Sequence, residues 1–346
     1  MSSYPLFDAF PALGIFPQAG LLAGPTPLQR LTDLEDVWIK RDDLSASDYG
    51  GNKIRKLDLL LGTARAVGRR ELITFGYSGS NFVAATAWHG RKLGLRTHAF
   101  LLPQANAPYL ADNLATALHC GAQLDVGRST AAVAALAARR SLRLALGGRM
   151  ARWIPPGGST PLGALGFVNA ALELRAQIDA GAMPAPRQLV VAFSSMGTVA
   201  GLAIGLGLAQ LPTRIVAVQV VEPGMASAAK LQALIRRTLA LIARTAPAAV
   251  PARIADIQIR EEFFGTGYAV PTAATQAAMQ RFGAASGACS DSAYSGKALA
   301  ALYAMQAAGE LPGPSLYWHT FNAHGRPAAV APLPPERLTP FLRSPP

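Results

Sequence analysis

The sequence predicts an α/β protein built on open, mostly parallel β-sheets with helices on both faces. Two observations carry this. Short apolar runs of strand length alternate with Ala-, Leu- and Arg-rich stretches of helical length along most of the chain, which is the pattern of crossover units rather than of sandwiches or bundles. The most apolar stretch, 188–213, holds no charged residue and exceeds the roughly 20 residues that a bilayer helix needs. Its middle, however, is the polar turn Ser194-Ser195-Met196-Gly197-Thr198. Before the turn, Leu189–Phe193 is a short apolar run typical of a buried parallel strand; after it, Ala200–Leu211 reads as a small-residue helix ending at Pro212. Strand, turn, helix is the reading, not a membrane span.

Taken in order, the expected strands are Val37–Arg41, Glu71–Gly76, Arg96–Leu102, Gln123–Val126, Gln188–Phe193, Arg214–Val221 and Ser315–Thr320. Between them lie stretches of helical length, among them Asn106–Cys120, Thr130–Leu146 and Ala226–Ala243. No fixed-period repeat is visible. Pro155-Pro156-Gly157-Gly158 and Pro184-Ala185-Pro186 are the candidate joints, though neither is a long flexible linker.

Composition bounds the function classes. At 346 residues, 51% hydrophobic and 15% charged, the chain is globular and of a length for about two domains. Two cysteines, Cys120 and Cys289, are too few and too far apart for a disulfide framework, and the five histidines lack ligand spacing, so no metal site is expected. The first basic residue is Arg30, which gives no charged leader region, and a soluble cytoplasmic protein is expected. The net charge of +12 is scattered, with Arg-Arg pairs at 69–70, 139–140 and 236–237 and no basic run. A nucleic-acid module would concentrate that charge on one face, so neither nucleic acid nor membrane is an expected partner.

Three turns could carry chemistry. In Tyr49-Gly50-Gly51-Asn52-Lys53-Ile54-Arg55-Lys56, two glycines allow a tight turn and a helix opens just after them. That sets Lys53 at a helix N-terminus, whose partial positive charge lowers an amine's pKa, and a lysine must be deprotonated to attack a carbonyl. Two of the chain's six lysines fall within these few residues. The turn Ser194–Thr198 offers backbone N–H groups and hydroxyls to an anion at a strand-to-helix junction, without the spacing of a nucleotide-triphosphate loop. The turn Gly76–Asn81 puts Ser80 and Asn81 at the carboxyl edge of a sheet, where open α/β folds bind ligands.

Together these segments resemble the pyridoxal-phosphate enzymes that include 1-aminocyclopropane-1-carboxylate deaminase and D-cysteine desulfhydrase. The resemblance runs from about Pro25 to about Gly325 and rests on Lys40–Leu44, Gly50–Leu57, Ser80-Asn81, Ile154–Gly166, Gly197-Thr198 with Ala200-Gly201, Tyr294-Ser295-Gly296-Lys297 and His319-Thr320. It implies a tryptophan-synthase-β-like, fold type II enzyme with two open twisted sheets. The larger cofactor-binding domain would comprise 1–55 and 165–346, and a smaller mobile domain 56–164. It also implies a homodimer, the cofactor pyridoxal 5'-phosphate and a small amino-acid substrate. Carried over, Lys53 would hold the cofactor as a Schiff base and act as general base, and Asn81 would bond the pyridine 3-oxygen. Ser80 would face the substrate carboxylate or shuttle a proton. Lys56, Ser195, Met196, Gly197 and Thr198 would surround the phosphate, Tyr294 would lie against cofactor or substrate, and Tyr268 would close the substrate side.

Four departures bear on the reaction. The deaminases resemble Tyr-Glu-Gly-Lys where this chain has Tyr294-Ser295-Gly296-Lys297; Ser295 or Thr320 can offer the pyridine nitrogen only a neutral hydrogen bond. That favours β-elimination of D-cysteine-type substrates to 2-oxo acid, ammonia and sulfide over cyclopropane opening to 2-oxobutyrate and ammonia. Phe82 replaces the Gln or His that usually follows Ser-Asn, Met196 stands where the phosphate loop normally has glycine, and Phe321-Asn322-Ala323-His324 replaces the usual Gly-Gly after His-Thr. These changes suggest a larger or more apolar substrate than cysteine. A β-replacement synthase and a cofactor-binding protein without catalysis are the remaining alternatives.

Overall fold

The computed structural model describes residues 4–322 and 327–342; the part of the Phe321–His324 departure beyond Asn322 lies outside the described residues. In chain order the strands are β1 (Leu28–Arg30), β2 (Val37–Arg41), β3 (Glu71–Tyr77), β4 (Arg96–Leu102), β5 (Gln123–Val126), β6 (Ala151–Ile154), β7 (Gln188–Phe193), β8 (Arg214–Gln219), β9 (Ile257–Arg260) and β10 (Ser315–His319). The helices are α1 (Pro5–Ala9), α2 (Ile54–Ala66), α3 (Asn81–Lys92), α4 (Pro108–His119), α5 (Thr130–Leu146), α6 (Pro161–Asp179), α7 (Gly197–Leu208), α8 (Ala228–Thr245), α9 (Ala273–Ser286) and α10 (Ser295–Ala307).

Two compact units divide the chain. The first takes 4–16, 22–56 and 159–322 of the described residues, and the second takes 17–21, 57–158 and 327–342. The joint at Pro155–Gly158 ends where the second unit gives way to the first, whereas Pro184–Pro186 lies inside the first. Residues 327–342 and 17–21 group with the second unit, not with the larger one in which the sequence reading set them.

In the first unit a six-stranded sheet has the order β1-β2-β10-β7-β8-β9. All neighbours are parallel except β1, which runs antiparallel to β2. Val37, Ile39, Val190, Val216, Val218 and Tyr317 on its strands pack with Phe282 of α9 and Leu299 and Leu302 of α10 in one apolar core. Because β2, β10, β7 and β8 are mutually parallel in register, the chain leaves all four at one sheet edge. The turn before α2, the turn before α7 and residues 320–322 start from that edge, where an open sheet binds ligands.

A buried ionic network fixes the start of α2 on the same unit. The Arg55 guanidinium donates to Asp42 at 2.7 Å and to Glu173 at 2.8 Å, the Trp318 indole N–H donates to Asp42 at 2.7 Å, and Lys40 pairs with Glu173. All five side chains are almost wholly buried. The guanidinium and the Lys40 ammonium hold Glu173 at about 2 against the opposing effect of burial. Buried charges persist where they are paired and hydrogen-bonded. Lys40 to Asp43, within the Lys40–Leu44 run on which the resemblance rests, is therefore the frame beneath the Lys53 turn.

The second unit carries a four-stranded parallel sheet, β5-β4-β3-β6. Ile73 and Phe100 pack on Val133 and Ala137 of α5 on one face, and Ala99 and Leu101 pack on Val83, Leu110 and Leu114 of α3 and α4 on the other.

The seven expected strands all form, within two residues at each end. Strands β1, β6 and β9 were not foreseen, and each is the edge of a sheet. Their sequences, LQR, ARWI and IQIR, are short and polar, because an edge strand faces water and needs no continuous apolar run. The uncharged stretch 188–213 is β7, a turn and α7. Among the described residues no helix is long and apolar enough to cross a membrane.

Candidate active site

Lys53 leaves a turn clasped from two sides. Gly51 has φ of +93°, and a Cβ there would come within 3.1 Å of the Phe321 carbonyl, so glycine is required both for the conformation and for the approach. Its N–H donates to the Asp42 carbonyl (3.1 Å), its carbonyl accepts from the Ser45 hydroxyl (2.8 Å), and the Asn52 N–H donates to the Thr320 carbonyl (3.3 Å). Asn322 adds a latch, its Oδ1 accepting the Gly50 N–H at 2.9 Å. Its side-chain oxygen is therefore tied to the Lys53 turn, a contact that the replacement of the usual Gly-Gly did not foretell.

The Lys53 ammonium donates to Asn52 Oδ1 at 2.7 Å, and Asn52 Nδ2 donates to the Thr198 hydroxyl at 3.2 Å. Burial lowers the Lys53 amine to about 8, with the Asp291 carboxylate opposing that shift. An amine poised there is neutral for much of the time at mildly alkaline pH, as a nucleophile or base needs to be.

Lys56, one helical turn on, is fully buried. Burial and then the like charge of Lys53 hold its amine well below the usual lysine range. Its Nζ lies 3.0 Å from where a Gly197 Cβ would stand, and the Ser159 hydroxyl oxygen lies 2.8 Å from the same point. That space exists only because residue 197 is glycine. The Ser159 hydroxyl accepts the Gly197 N–H at 3.2 Å, and no side chain caps the N-terminus of the 12-residue helix α7. A buried cation, a hydroxyl and the positive end of a helix dipole make a cradle for an anion of phosphate type. An amine of lowered pKa beside such a cradle fits a group that carries both an aldehyde and a phosphate.

Met196, at the N-cap of α7, has φ of +67°. A non-glycine residue in this left-handed region costs about 1 kcal/mol or more. Met196→Gly is therefore expected to raise the thermal midpoint of the full chain by about 1–2 °C, read by calorimetry. A fall in the midpoint would show that the methionine side chain stabilises the turn by more than its backbone strain.

Tyr294 stands beside the amine and Tyr268 beside Tyr294. The Tyr294 ring centroid lies 5.8 Å from Lys53 Nζ, and the Tyr268 and Tyr294 rings meet edge to face at 5.9 Å with their hydroxyls hydrogen-bonded. The loop that brings Tyr268 is held by the buried Lys297 ammonium, which donates to the carbonyls of Phe264 and Gly267. Tyr294 follows a turn organised by Asp291, whose Oδ1 accepts the N–H groups of Ala293 (2.9 Å) and Tyr294 (2.6 Å). The Ser295 hydroxyl is buried and donates to Asp291 Oδ2 at 2.6 Å. Thr320 lies at the end of β10, almost buried.

Lys53, Lys56, Ser195, Met196, Gly197, Thr198, Tyr268, Tyr294, Ser295 and Thr320 thus all belong to the first unit. Ser80 and Asn81 belong to the second, where Ser80 caps α3 by accepting the Val83 N–H at 3.3 Å. Phe82 is buried in the second unit, against the place of a Gly158 Cβ. Asn52, Ser159 and Asp291 were missed. Asp291 had a legible signal: an Asp just ahead of a helix start can bond the backbone two residues on in an Asx turn, as it does here with Ala293. Ser159 had none beyond its place after Gly157-Gly158.

Comparison with known proteins gives one family. The family model "Pyridoxal-phosphate dependent enzyme" matches residues 20–320. The chain is 33% identical to a nocardicin C-9' epimerase of Nocardia uniformis subsp. tsuyamanensis, over 94% of this chain and 99% of that protein. It is 34% identical to a D-cysteine desulfhydrase of Salmonella paratyphi B, over 89% of this chain and 94% of that protein. The crystal structure of an ACC deaminase homologue superposes with a TM-score of 0.80 at 30% identity, covering 98% of this chain and all of that one. A fungal L-serine ammonia-lyase from Rhizomucor miehei, at 17% identity and a TM-score of 0.58 over 93% of this chain and 98% of that one, shares the fold.

Proposed function

Because the chain belongs to the pyridoxal-phosphate-dependent enzymes of the ACC deaminase and D-cysteine desulfhydrase family, we propose that it is a lyase for small D-amino acids bearing a leaving group on the β-carbon. D-Cysteine is the reference substrate: with one water it gives pyruvate, ammonia and hydrogen sulfide. The observation that carries this reading is the Lys53 amine, lowered to about 8 and set beside the Lys56–Gly197 cradle.

When bound, pyridoxal phosphate supplies an electron sink for charge left at the substrate's α-carbon. The rest is work for this chain's own residues. Lys56, the Thr198 hydroxyl, Ser195 and the N–H groups at the start of α7 hold the phosphate. Asn52 orients Lys53 Nζ, which anchors the cofactor and then takes the proton from the α-carbon as general base. Tyr294 and Tyr268 close the substrate side and exclude water. The Ser295 hydroxyl is spent on Asp291, which leaves Thr320 to offer the ring nitrogen a hydroxyl rather than a carboxylate, so the sink is weaker and a good leaving group is needed. The larger cofactor domain, the mobile smaller domain and the homodimer belong to this same reading.

Release of pyruvate and sulfide in equal amounts from D-cysteine, absent from the cofactor-free chain, is the expected result. Formation of 2-oxobutyrate from 1-aminocyclopropane-1-carboxylate without turnover of D-cysteine would overturn it. A second reading is epimerisation at an amino-acid α-carbon, favoured by the likeness to the nocardicin C-9' epimerase over almost the whole chain. The hydrogen-bonded Tyr268–Tyr294 pair would supply its second proton carrier. Inversion of a D-amino acid with no 2-oxo acid released would select it.

A further inference from the structure

Asp291, in the turn before α10, does more than shape that turn. Its carboxylate carries four hydrogen bonds. Oδ1 accepts the N–H groups of Ala293 and Tyr294, and Oδ2 accepts the Ser295 hydroxyl (2.6 Å) and N–H (3.2 Å). The turn is in its own right tied to the sheet. His319 Nε2, at the end of β10, bonds the Cys289 carbonyl at 2.9 Å, and the Tyr317 hydroxyl donates to the Ser295 carbonyl at 3.1 Å. Asp291 is thus a carboxylate on a rigid mount, and the residue it delivers, Tyr294, has its ring beside Lys53 Nζ.

We propose that Asp291 is a positioning residue for the reaction read above: it holds Tyr294 against the amine and supplies the negative charge toward which Lys53 takes up and returns its proton. This rests on Lys53 being the proton-handling amine. The physical need is plain. Burial disfavours the ammonium that a general base must become. The Asp291 field is the opposing influence on Lys53. Among the described residues, the titratable groups placed against Lys53 are Asp291 from the turn before α10, Lys56 from α2 and Tyr294, whose hydroxyl bonds that of Tyr268.

Asp291→Asn separates the two roles, because the amide oxygen can still accept the N–H groups of Ala293 and Tyr294 while the charge is gone. The measurement is the pH dependence of Lys53 acylation by acetic anhydride in the cofactor-free full chain, quantified by mass spectrometry, beside the pH profile of kcat. Loss of the charge lowers the amine's pKa, so the acylation midpoint and the acid limb of kcat should both move about one pH unit to lower pH. Asp291→Glu should restore both. If Asp291→Asn does not fold, Asp291→Ser, a second neutral capping residue, carries the same prediction. A midpoint at the wild-type position in a folded neutral variant overturns the proposal, since a purely structural role would lower activity without moving it. Acylation needs no substrate, so a shifted midpoint in a chain inert toward amino acids would support the inference while removing the reaction assigned to it.

Discussion

Lys53→Ala is expected to lower kcat on any turned-over amino acid by about a thousandfold or more, since it removes the covalent anchor and a general base worth about 10²–10⁴ by itself. The visible absorption of the lysine-bound cofactor should vanish as well. The fold should survive. Lys53 is desolvated enough to bring its amine to about 8, and deleting a partly desolvated amine relieves a cost rather than adding one. The thermal midpoint of the cofactor-free variant should stay level or rise. Retention of a tenth of wild-type kcat would assign proton removal to another group, with the Tyr268–Tyr294 pair next in line.

Lys56→Met should have the second largest effect, and of opposite sign in the two states of the protein. The side chain is fully buried and its ammonium is disfavoured by burial and by Lys53. An apolar chain of similar length should therefore leave the cofactor-free protein as stable as the wild type or more so. Phosphate capture, by contrast, loses a buried charge-assisted bond. Truncating one partner of such a pair costs about 2–5 kcal/mol, so pyridoxal phosphate affinity should fall by about thirtyfold to several thousandfold. Equilibrium titration of the cofactor and calorimetry of the cofactor-free chain read the two effects separately. Wild-type affinity in Lys56→Met would move the phosphate away from the cradle at Gly197.

How much of this was legible in the sequence follows from what each residue contributes. Strands β7, β8 and β10 are buried on both faces and announce themselves as apolar runs, and the Gly50-Gly51 turn announces itself because glycine alone meets its φ and its approach to Phe321. The edge strands β1, β6 and β9 carry no such pattern. Lys53 and Lys56 could be picked out by scarcity among six lysines. Their amines' environment could not, because Asp291, Ser159 and the hydroxyl of Thr198 reach them from segments more than a hundred residues away. The same holds for Lys40 to Asp43. The sequence marks the run as dense in charge, and only the fold reveals that Arg55 and Glu173 complete it as a buried network. Asn322 is instructive in the other direction: read as part of a change toward a larger or more apolar substrate, it is tied to the backbone of the lysine's own turn.

The claim on which the rest depends is that Lys53 removes the α-proton of a bound amino acid. Wild-type and Lys53→Ala proteins, each loaded with pyridoxal phosphate, would be incubated in deuterated water with a panel of D- and L-amino acids that includes D-cysteine, and the α-proton signal followed by NMR. Wild type should lose that signal from at least one D-amino acid, by exchange or with conversion to the 2-oxo acid, with Lys53→Ala slower by about a thousandfold. An α-proton that persists in every substrate with wild type, or that disappears equally fast in both proteins, would contradict the account.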